Sequence, residues 1–289
     1  MVLKALYLTF SSPKSFENFF RRKLNPIREN EIEYCVMEKF KSNRILFTAE
    51  HANSKKFKVK KFGPKAFVTI GDTNTGILAK IGAFHMLSAY IFPLFNRKDA
   101  DAARNPKELG KGLVLFTRIT NSETPQKVAY VPIHSDSSYL KILERYHSII
   151  EKLNPRAIIS VHGLHADREF DMLFGFGPNY EMIGGKKEAF KFKKFYIQKL
   201  SQIFEKLNLN FDMRIGVSTW RWMGSKNYVL TRHIAEYNKS GKKKRIGLQV
   251  EMNYKGRVCK ETKGLPSKEY QIAIQVLGEV VWEWLSLRR

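Results

Sequence analysis

Short apolar segments alternate along the chain with longer segments that repeat apolar residues at helical spacing. The apolar segments predict strands at residues 2–9, 31–38, 44–48, 66–70, 113–119, 157–161, 171–176, 212–218 and 246–252. The helical spacing predicts helices at residues 75–89, 137–153, 187–207 and 267–287. Such alternation indicates an α/β fold with a mixed central sheet flanked by helices. No linker rich in proline, glycine or serine divides the chain, so we expect a single domain over residues 1–289.

Histidine and glutamate directly follow three of the predicted strands. Residues 157–161 run into His162-Gly163-Leu164-His165, residues 44–48 run into Ala49-Glu50-His51, and residues 246–250 run into Glu251. In α/β folds, ligands bind in the crevice at the carboxyl ends of the strands. Two histidines and a glutamate at strand ends therefore indicate a metal-activated water and its general base.

The candidate metal ligands are two histidines and a carboxylate. A catalytic zinc site needs three protein ligands and an open position for water. His51 and His162 supply imidazoles, and Asp72 is the nearest supporting carboxylate. Glu50 is the alternative to Asp72, and His165 competes with His162 because both lie near one turn. Each histidine taken alone is also compatible with a hydrogen-bonded structural role.

A glutamate and two arginines are candidates for contact with the reacting groups. Glu251 and Gln249 point to one face of a strand, and Glu251 is placed to accept a proton from the activated water. Its structural alternative is a salt bridge with lysine. Residues 95–106 combine charges of both signs in a turn, where Arg97 or Arg104 is suited to hold a substrate carboxylate or polarise a carbonyl. The alternative there is a surface ion-pair loop.

The charge of the chain favours anionic partners. Fifty-one lysines and arginines against 27 acidic residues give a net charge of +24, which attracts anionic small molecules and polyanions. Nucleic acid is one candidate, although the chain has neither a zinc finger nor an aromatic RNA-reading signature. The alternative is a lysine-coated surface of thermophile type. Only two cysteines are present, and no apolar run reaches the length of a membrane span, so we expect a cytoplasmic protein.

Taken in order, these segments resemble the N-formylglutamate amidohydrolase family, in the group of zinc carboxypeptidases and aspartoacylases. The resemblance spans residues 44–254 and implies a phosphorylase/hydrolase-like fold. The segments that carry it are residues 47–53, 71–76, 97–106, 146–147, 160–163 and 249–253.

The resemblance implies a role for each candidate residue. His51, Asp72 and His162 would hold one zinc ion. Glu251 would act as general base, and Arg104 would orient the substrate or stabilise the oxyanion. The residues implied in substrate binding are Arg97, Asn105 and His165.

Two positions depart from the family pattern. Ser54 stands where the carboxypeptidases have the glutamate of a His-x-x-Glu motif, so the second ligand is Asp72 or Glu50, and the strand-end position favours Asp72. Ser160 replaces the aspartate expected two residues before His162, which removes an orienting partner of that histidine.

The leading hypothesis is a zinc-dependent amidohydrolase that cleaves a small, anionic N-acylated amino acid by metal-activated water. The alternatives are an RNA- or tRNA-binding or tRNA-acting protein on the same scaffold, and a family member without activity. The sequence leaves the exact substrate and the oligomeric state open.

Overall fold

An eight-stranded mixed sheet forms the centre of the computed structural model, which describes residues 7–53, 55–109, 115–120, 127–133, 137–218, 224, 226–240 and 244–287. The sheet order is β1-β2-β6-β3-β9-β12-β10-β11, and β4–β5 and β7–β8 form two small separate ladders. The strands are β1 (Ile27–Glu29), β2 (Ile32–Val36), β3 (Ile45–Thr48), β4 (Phe57–Lys58), β5 (Phe67–Val68), β6 (Ala89–Pro93), β7 (Leu115–Thr120), β8 (Val128–Ile133), β9 (Ala157–Leu164), β10 (Met172–Gly175), β11 (Ile215–Val217) and β12 (Ile246–Asn253).

Five longer helices and several short ones accompany the sheet. The α-helices are α1 (Pro13–Lys23), α2 (Phe40–Asn43), α3 (Thr75–His85), α4 (Pro106–Leu109), α5 (Ser137–Leu153), α6 (Lys186–Lys206), α7 (Tyr228–Leu230), α8 (Tyr237–Lys239), α9 (Tyr254–Arg257) and α10 (Lys268–Ser286). A π-helical segment, Thr231–Glu236, joins α7 to α8. Ser267 caps α10 by accepting a hydrogen bond from the Tyr270 amide, so the sequence marks the start of this long buried helix.

Helices cover both faces of the central strands. β6, β3, β9 and β12 run parallel to one another, and β10 is antiparallel to β12. Phe47 and Ile159 pack with α3, α6 and α10 on one face, here called the α10 face. Leu46 and Ile158 pack with α5 and the 229–235 segment on the other, the α5 face. Strands buried on both faces read as continuous apolar runs, which is why β3 and β9 stand out in the sequence.

Polar side chains replace the apolar ones on the α5 face where the central strands end. The register pairs Thr48 with Ser160, and Ser160 with Gln249. Two residues further along, His162 pairs with Glu251. On the α10 face the same stretches stay apolar. The parallel register therefore gathers the strand-end polar residues into one buried pocket at one edge of the sheet.

The fold class predicted from the sequence is confirmed, with differences in single elements. The segments 66–70 and 113–119 form strands only in the small ladders, β4–β5 and β7–β8, and not in the central sheet. The helix predicted at 75–89 ends at His85, because the chain turns there into β6, an inner strand that the sequence analysis missed. Of the strand predicted at 2–9, residues 7–9 are irregular and the rest lies outside the described residues.

None of the helices in the described part of the chain is both long and apolar enough to cross a membrane.

Candidate metal centre

Two imidazoles and a carboxylate face one another at the carboxyl ends of β3 and β9. His51, Asp72 and His162 each offer a ligand atom, and these atoms lie within 4.8 Å of one another. The Nδ1 atom of His51 is 3.3 Å from Asp72 Oδ2, and the Nδ1 atom of His162 is 3.5 Å from the same oxygen. Two imidazole nitrogens and one carboxylate oxygen are a donor set that zinc accepts in catalytic sites.

The backbone holds these three side chains in place. His51 follows β3 directly, and His162 lies within β9, the next strand of the sheet. The Asp72 amide donates a hydrogen bond of 2.7 Å to the His51 carbonyl, and the Gly163 amide donates one of 3.1 Å to Asp72 Oδ2. The aspartate, which follows a strand of a separate ladder, is therefore tied to both histidine-bearing segments.

The second nitrogen of each imidazole is occupied by a carboxylate. His51 Nε2 lies 2.7 Å from Asp101 Oδ1, and His162 Nε2 lies 3.1 Å from Glu50 Oε2. Metal-binding histidines characteristically give their other ring N–H to a carboxylate or carbonyl, which fixes the tautomer and the ring orientation. Both Nδ1 atoms are then the acceptor atoms that point to the space beside Asp72. The residues present therefore fit a divalent metal ion.

Burial and charge set the protonation of the centre in its metal-free form. Burial raises the pKa of Asp72, but hydrogen bonds and charges from His162 and His51 outweigh it and hold the pKa well below the usual range. Burial lowers the pKa of His162, but the hydrogen bonds that its ring donates to Asp72 and Glu50, together with the charge of Glu50, raise it well above the usual range. The carboxylates thus stabilise positive charge at this point, as a bound cation requires.

Asp101 links the centre to the arginine-rich turn. Its carboxylate is fully buried and accepts a hydrogen bond of 3.0 Å from Arg97 Nε. Burial raises the pKa of Asp101, but the charges of Arg97 and His51 hold it well below the usual range. Arg104 is more exposed, with 35% of its side chain accessible, and its Nε lies 3.8 Å from Asp101 Oδ2. Arg97 is therefore bound to Asp101, whereas the contact of Arg104 with a carboxylate of the described residues is this long ion pair.

Glu251 lies on β12, opposite His162 on β9. It is buried and accepts a hydrogen bond of 2.6 Å from Gln249 Nε2. Burial raises the pKa of Glu251, an effect that the positive charge of His162 opposes and the negative charge of Asp72 reinforces. A carboxylate in such surroundings binds a proton more readily than an exposed glutamate does.

A buried guanidinium joins the three segments that carry Asp72, His162 and Glu251. Arg257 donates hydrogen bonds to the carbonyls of Thr73, Leu164 and Met252, the last two at 3.3 and 2.8 Å. A Cβ atom at position 163 would collide with this guanidinium, so glycine is required there. We call this arrangement the Arg257 clamp.

Solved structures of other proteins share this fold. No protein-family profile and no curated protein matches the chain. Among solved structures, N-formylglutamate amidohydrolase from Ralstonia eutropha JMP134 matches with a TM-score of 0.52 and 11% identity over 90% of this chain and 98% of that chain. The chain has the fold of N-formylglutamate amidohydrolase. A gene product of Agrobacterium tumefaciens matches similarly, with a TM-score of 0.51, 11% identity, and 90% and 96% of the two chains covered. The resemblance read from the sequence is thus confirmed at the level of the fold.

The structure separates the remaining candidate residues from the centre. His165 lies after β9 with 49% of its side chain exposed and its Nδ1 3.4 Å from Asp167. Asn105 accepts a hydrogen bond of 3.0 Å from the Lys107 amide, at the start of α4. Glu50, the alternative ligand, contacts His162 Nε2 rather than the space between the two Nδ1 atoms. Ser54 lies outside the described residues.

Two buried residues of the centre were missed by the sequence analysis. The Asp101 carboxylate contacts His51. The sequence feature that could have indicated Asp101 is its spacing of four residues from Arg97 within the charged turn. Asn227 donates hydrogen bonds to Ser160 Oγ at 2.8 Å and to Gln249 Oε1 at 3.2 Å. Asn227 follows a segment without strand or helix periodicity, so nothing in the pattern pointed to it.

Proposed function

We propose that this chain is a zinc-dependent amidohydrolase that cleaves the amide bond of a small N-acylated amino acid. One observation carries the proposal: both Nδ1 atoms face Asp72, while Asp101 and Glu50 occupy the two Nε2 atoms. Such orientation of both imidazoles is typical of metal ligands held by a supporting shell of carboxylates. The fold shared with N-formylglutamate amidohydrolase supports the same reaction class.

In this proposal His51, Asp72 and His162 hold the metal and Glu251 is the general base. A zinc ion held by these residues would lower the pKa of a water molecule and polarise the scissile carbonyl. Glu251 accepts the proton of the attacking water and returns it to the leaving amine. Gln249 holds the Glu251 carboxylate at 2.6 Å, so the base keeps a fixed orientation beside His162.

Arg104 is the proposed group for the substrate's negative charge. Arg97 is engaged by Asp101 and by the Ile70 carbonyl, so its role is to hold Asp101 against His51. Arg104 has 35% of its side chain exposed, and its one ion pair within the described part of the chain, to Asp101, is long at 3.8 Å, so its N–H groups are available to a ligand. A guanidinium in this state binds a carboxylate or a developing oxyanion by paired hydrogen bonds.

Metal analysis tests the proposal directly. The purified protein, reconstituted with zinc and desalted, is expected to hold close to one ion per chain, whereas His51→Ala and His162→Ala are expected to hold far less. Glu251→Gln is expected to keep its zinc and to lose hydrolysis of N-acylated amino acids by at least about 100-fold, because the general base is removed.

His165→Ala is the matched control, since this histidine lies close in sequence but outside the cluster. It should bind zinc as the unaltered protein does. A protein that takes up no zinc on reconstitution, or a Glu251→Gln variant with full activity, would contradict the proposal.

A further inference from the structure

We propose that the lysine loop, residues 55–65, is a docking surface for an acidic peptide. This inference rests on the proposed amidohydrolase function and extends its substrate from a small N-acylated amino acid to an acidic peptide. The amide bond that is cleaved would belong to a chain that bears further carboxylates beyond the one bound at the metal centre. The inference is based on two observations: the lysine loop is attached to the metal centre, and its positive charge is not compensated.

The lysine loop leaves the metal centre and returns to it. The Asp72 amide is hydrogen-bonded to the His51 carbonyl at 2.7 Å, so the chain between these two residues is an excursion closed at the centre. Asn96 Nδ2 donates a hydrogen bond of 3.0 Å to the Lys55 carbonyl, and Lys98 Nζ lies 5.4 Å from the ring centre of Phe57. The base of the loop is therefore attached to the turn that carries Arg97.

The loop is positively charged without internal compensation. Residues 52–71 contain no aspartate or glutamate. None of the loop lysines has an ion pair with another described residue, and all of them are exposed. The loop lysines are Lys55, Lys56, Lys58, Lys60, Lys61 and Lys65.

The lysines of α6 provide a contrast. Lys191 pairs with Glu188 at 3.2 Å, and Lys199 pairs with Glu279 and Glu283 on α10. On that helix acidic groups offset part of the positive charge, as on an ordinary solvated surface. In the lysine loop the charge is uncompensated and lies beside the proposed reaction centre. Salt at 0.1 M screens the positive charge of the lysine loop beyond about 10 Å. This charge therefore acts mainly on a ligand that is already docked on the loop.

An acidic peptide fits this surface better than a nucleic acid does. Residues 52–71 contain no arginine, the residue that binds phosphate through paired hydrogen bonds. Phe57 is engaged by Lys98 and Phe62 is buried, so the exposed ring of residues 52–71 is that of Phe67, whereas surfaces for single-stranded nucleic acid stack successive bases on several rings. Lysine ammonium groups serve as point charges for carboxylates, and an amide-cleaving centre acts on a peptide-like chain.

The test compares two variants with equal loss of charge. In the loop variant, Lys55, Lys58, Lys61 and Lys65 are changed to Gln, and in the control variant Lys187, Lys191, Lys194 and Lys206 of α6 are changed to Gln. Binding of a fluorescent N-acetylated oligoglutamate peptide is measured by anisotropy at low and high salt. The loop variant should bind about ten-fold more weakly than the control and with a flatter salt dependence. Changing the same loop lysines to Arg should retain binding.

Three outcomes would overturn the proposal. One is equal weakening in both variants, which would mean a general charge effect. Another is unchanged binding in the loop variant, with its thermal unfolding confirming that it is folded. The third is tighter binding of an RNA oligonucleotide than of the peptide, lost in the loop variant, which would make the partner a nucleic acid. Because anisotropy measures binding of the peptide and not its cleavage, absence of zinc-dependent hydrolysis would count against the proposed function and not against this docking surface.

Discussion

Glu50 precedes His51 in the chain, yet its carboxylate contacts the other imidazole of the centre. The side chain accepts hydrogen bonds from Thr48 Oγ1 at 2.7 Å and from Ser160 Oγ at 2.8 Å, and it lies 3.1 Å from His162 Nε2. An aspartate at position 160 would have been the orienting partner expected from the family pattern. Here the neighbouring strand supplies the carboxylate, and Ser160 positions it.

Replacing Glu50 by Gln is expected to weaken metal binding without abolishing it. The three ligands stay in place, but the carboxylate that holds His162 Nε2 is lost, and such supporting groups change metal affinity about 10–100-fold. Competition with a zinc indicator dye measures the effect. Asp167→Asn, which alters the exposed carboxylate beside His165, is the control and should bind zinc normally. Unchanged affinity in Glu50→Gln would show that the carboxylate does not orient His162.

At the scale of elements, three inner strands, β3, β9 and β12, and the histidines and glutamates near their ends could be predicted from the sequence, but the contacts between the carboxylates and the imidazoles could not. β3, β9 and β12 are continuous apolar runs because helices cover both faces of the sheet. The polar residues at their ends can therefore be recognised from the sequence alone. Which carboxylate meets which imidazole depends on strand order. β3 lies between β6 and β9, and this order brings Glu50 next to His162. β6 was missed because the apolar residues from Ala83 to Pro93 are interrupted only by His85 and Ser88, so they read as a continuation of the helical pattern of α3.

The Arg257 clamp predicts that a side chain at position 163 lowers the stability of the protein. Gly163→Ala would drive a Cβ atom into the guanidinium, which is bonded to carbonyls on three segments of the centre. We expect a loss of about 1–3 kcal/mol in the free energy of unfolding, because a packed interior does not absorb an added methyl group. We also expect weaker zinc binding, because the Gly163 amide holds Asp72.

A double-mutant cycle with Arg257→Met provides the check. Both single variants should be destabilised in urea unfolding, and the double variant should lose less than the sum of the two, since removing the guanidinium also removes the collision. Additive losses would mean that the contact between position 163 and Arg257 is not the source of the effect.

For the whole molecule, the α5 face is closed by a pair of buried histidines. His147 Nδ1 on α5 lies 3.0 Å from His233 Nε2 on the π-helical segment, and both side chains are almost fully buried. Burial, with help from the charge of Arg232, lowers the pKa of His147 to about 3. Burial, together with the charges of His147 and Arg232, lowers the pKa of His233 to about 2. The packing of this face thus requires both rings to be neutral.

This pair predicts that the protein loses stability on mild acidification. In the unfolded chain both histidines titrate near pH 6.5, whereas in the folded protein they stay neutral down to about pH 3, so the unfolded chain binds more protons between these values. Their contribution to stability is complete above pH 6.5 and falls as the pH drops, by up to about 1.4 kcal/mol per pH unit for each histidine.

His233→Gln removes one titrating group and keeps a polar nitrogen in reach of His147, so the contribution of the pair to this slope should fall by about half. Urea unfolding at intervals between about pH 5 and 7 measures the slope. Equal slopes for the unaltered protein and His233→Gln would mean that the buried pair is already protonated in the folded state, and the neutral packing of the α5 face would then be wrong.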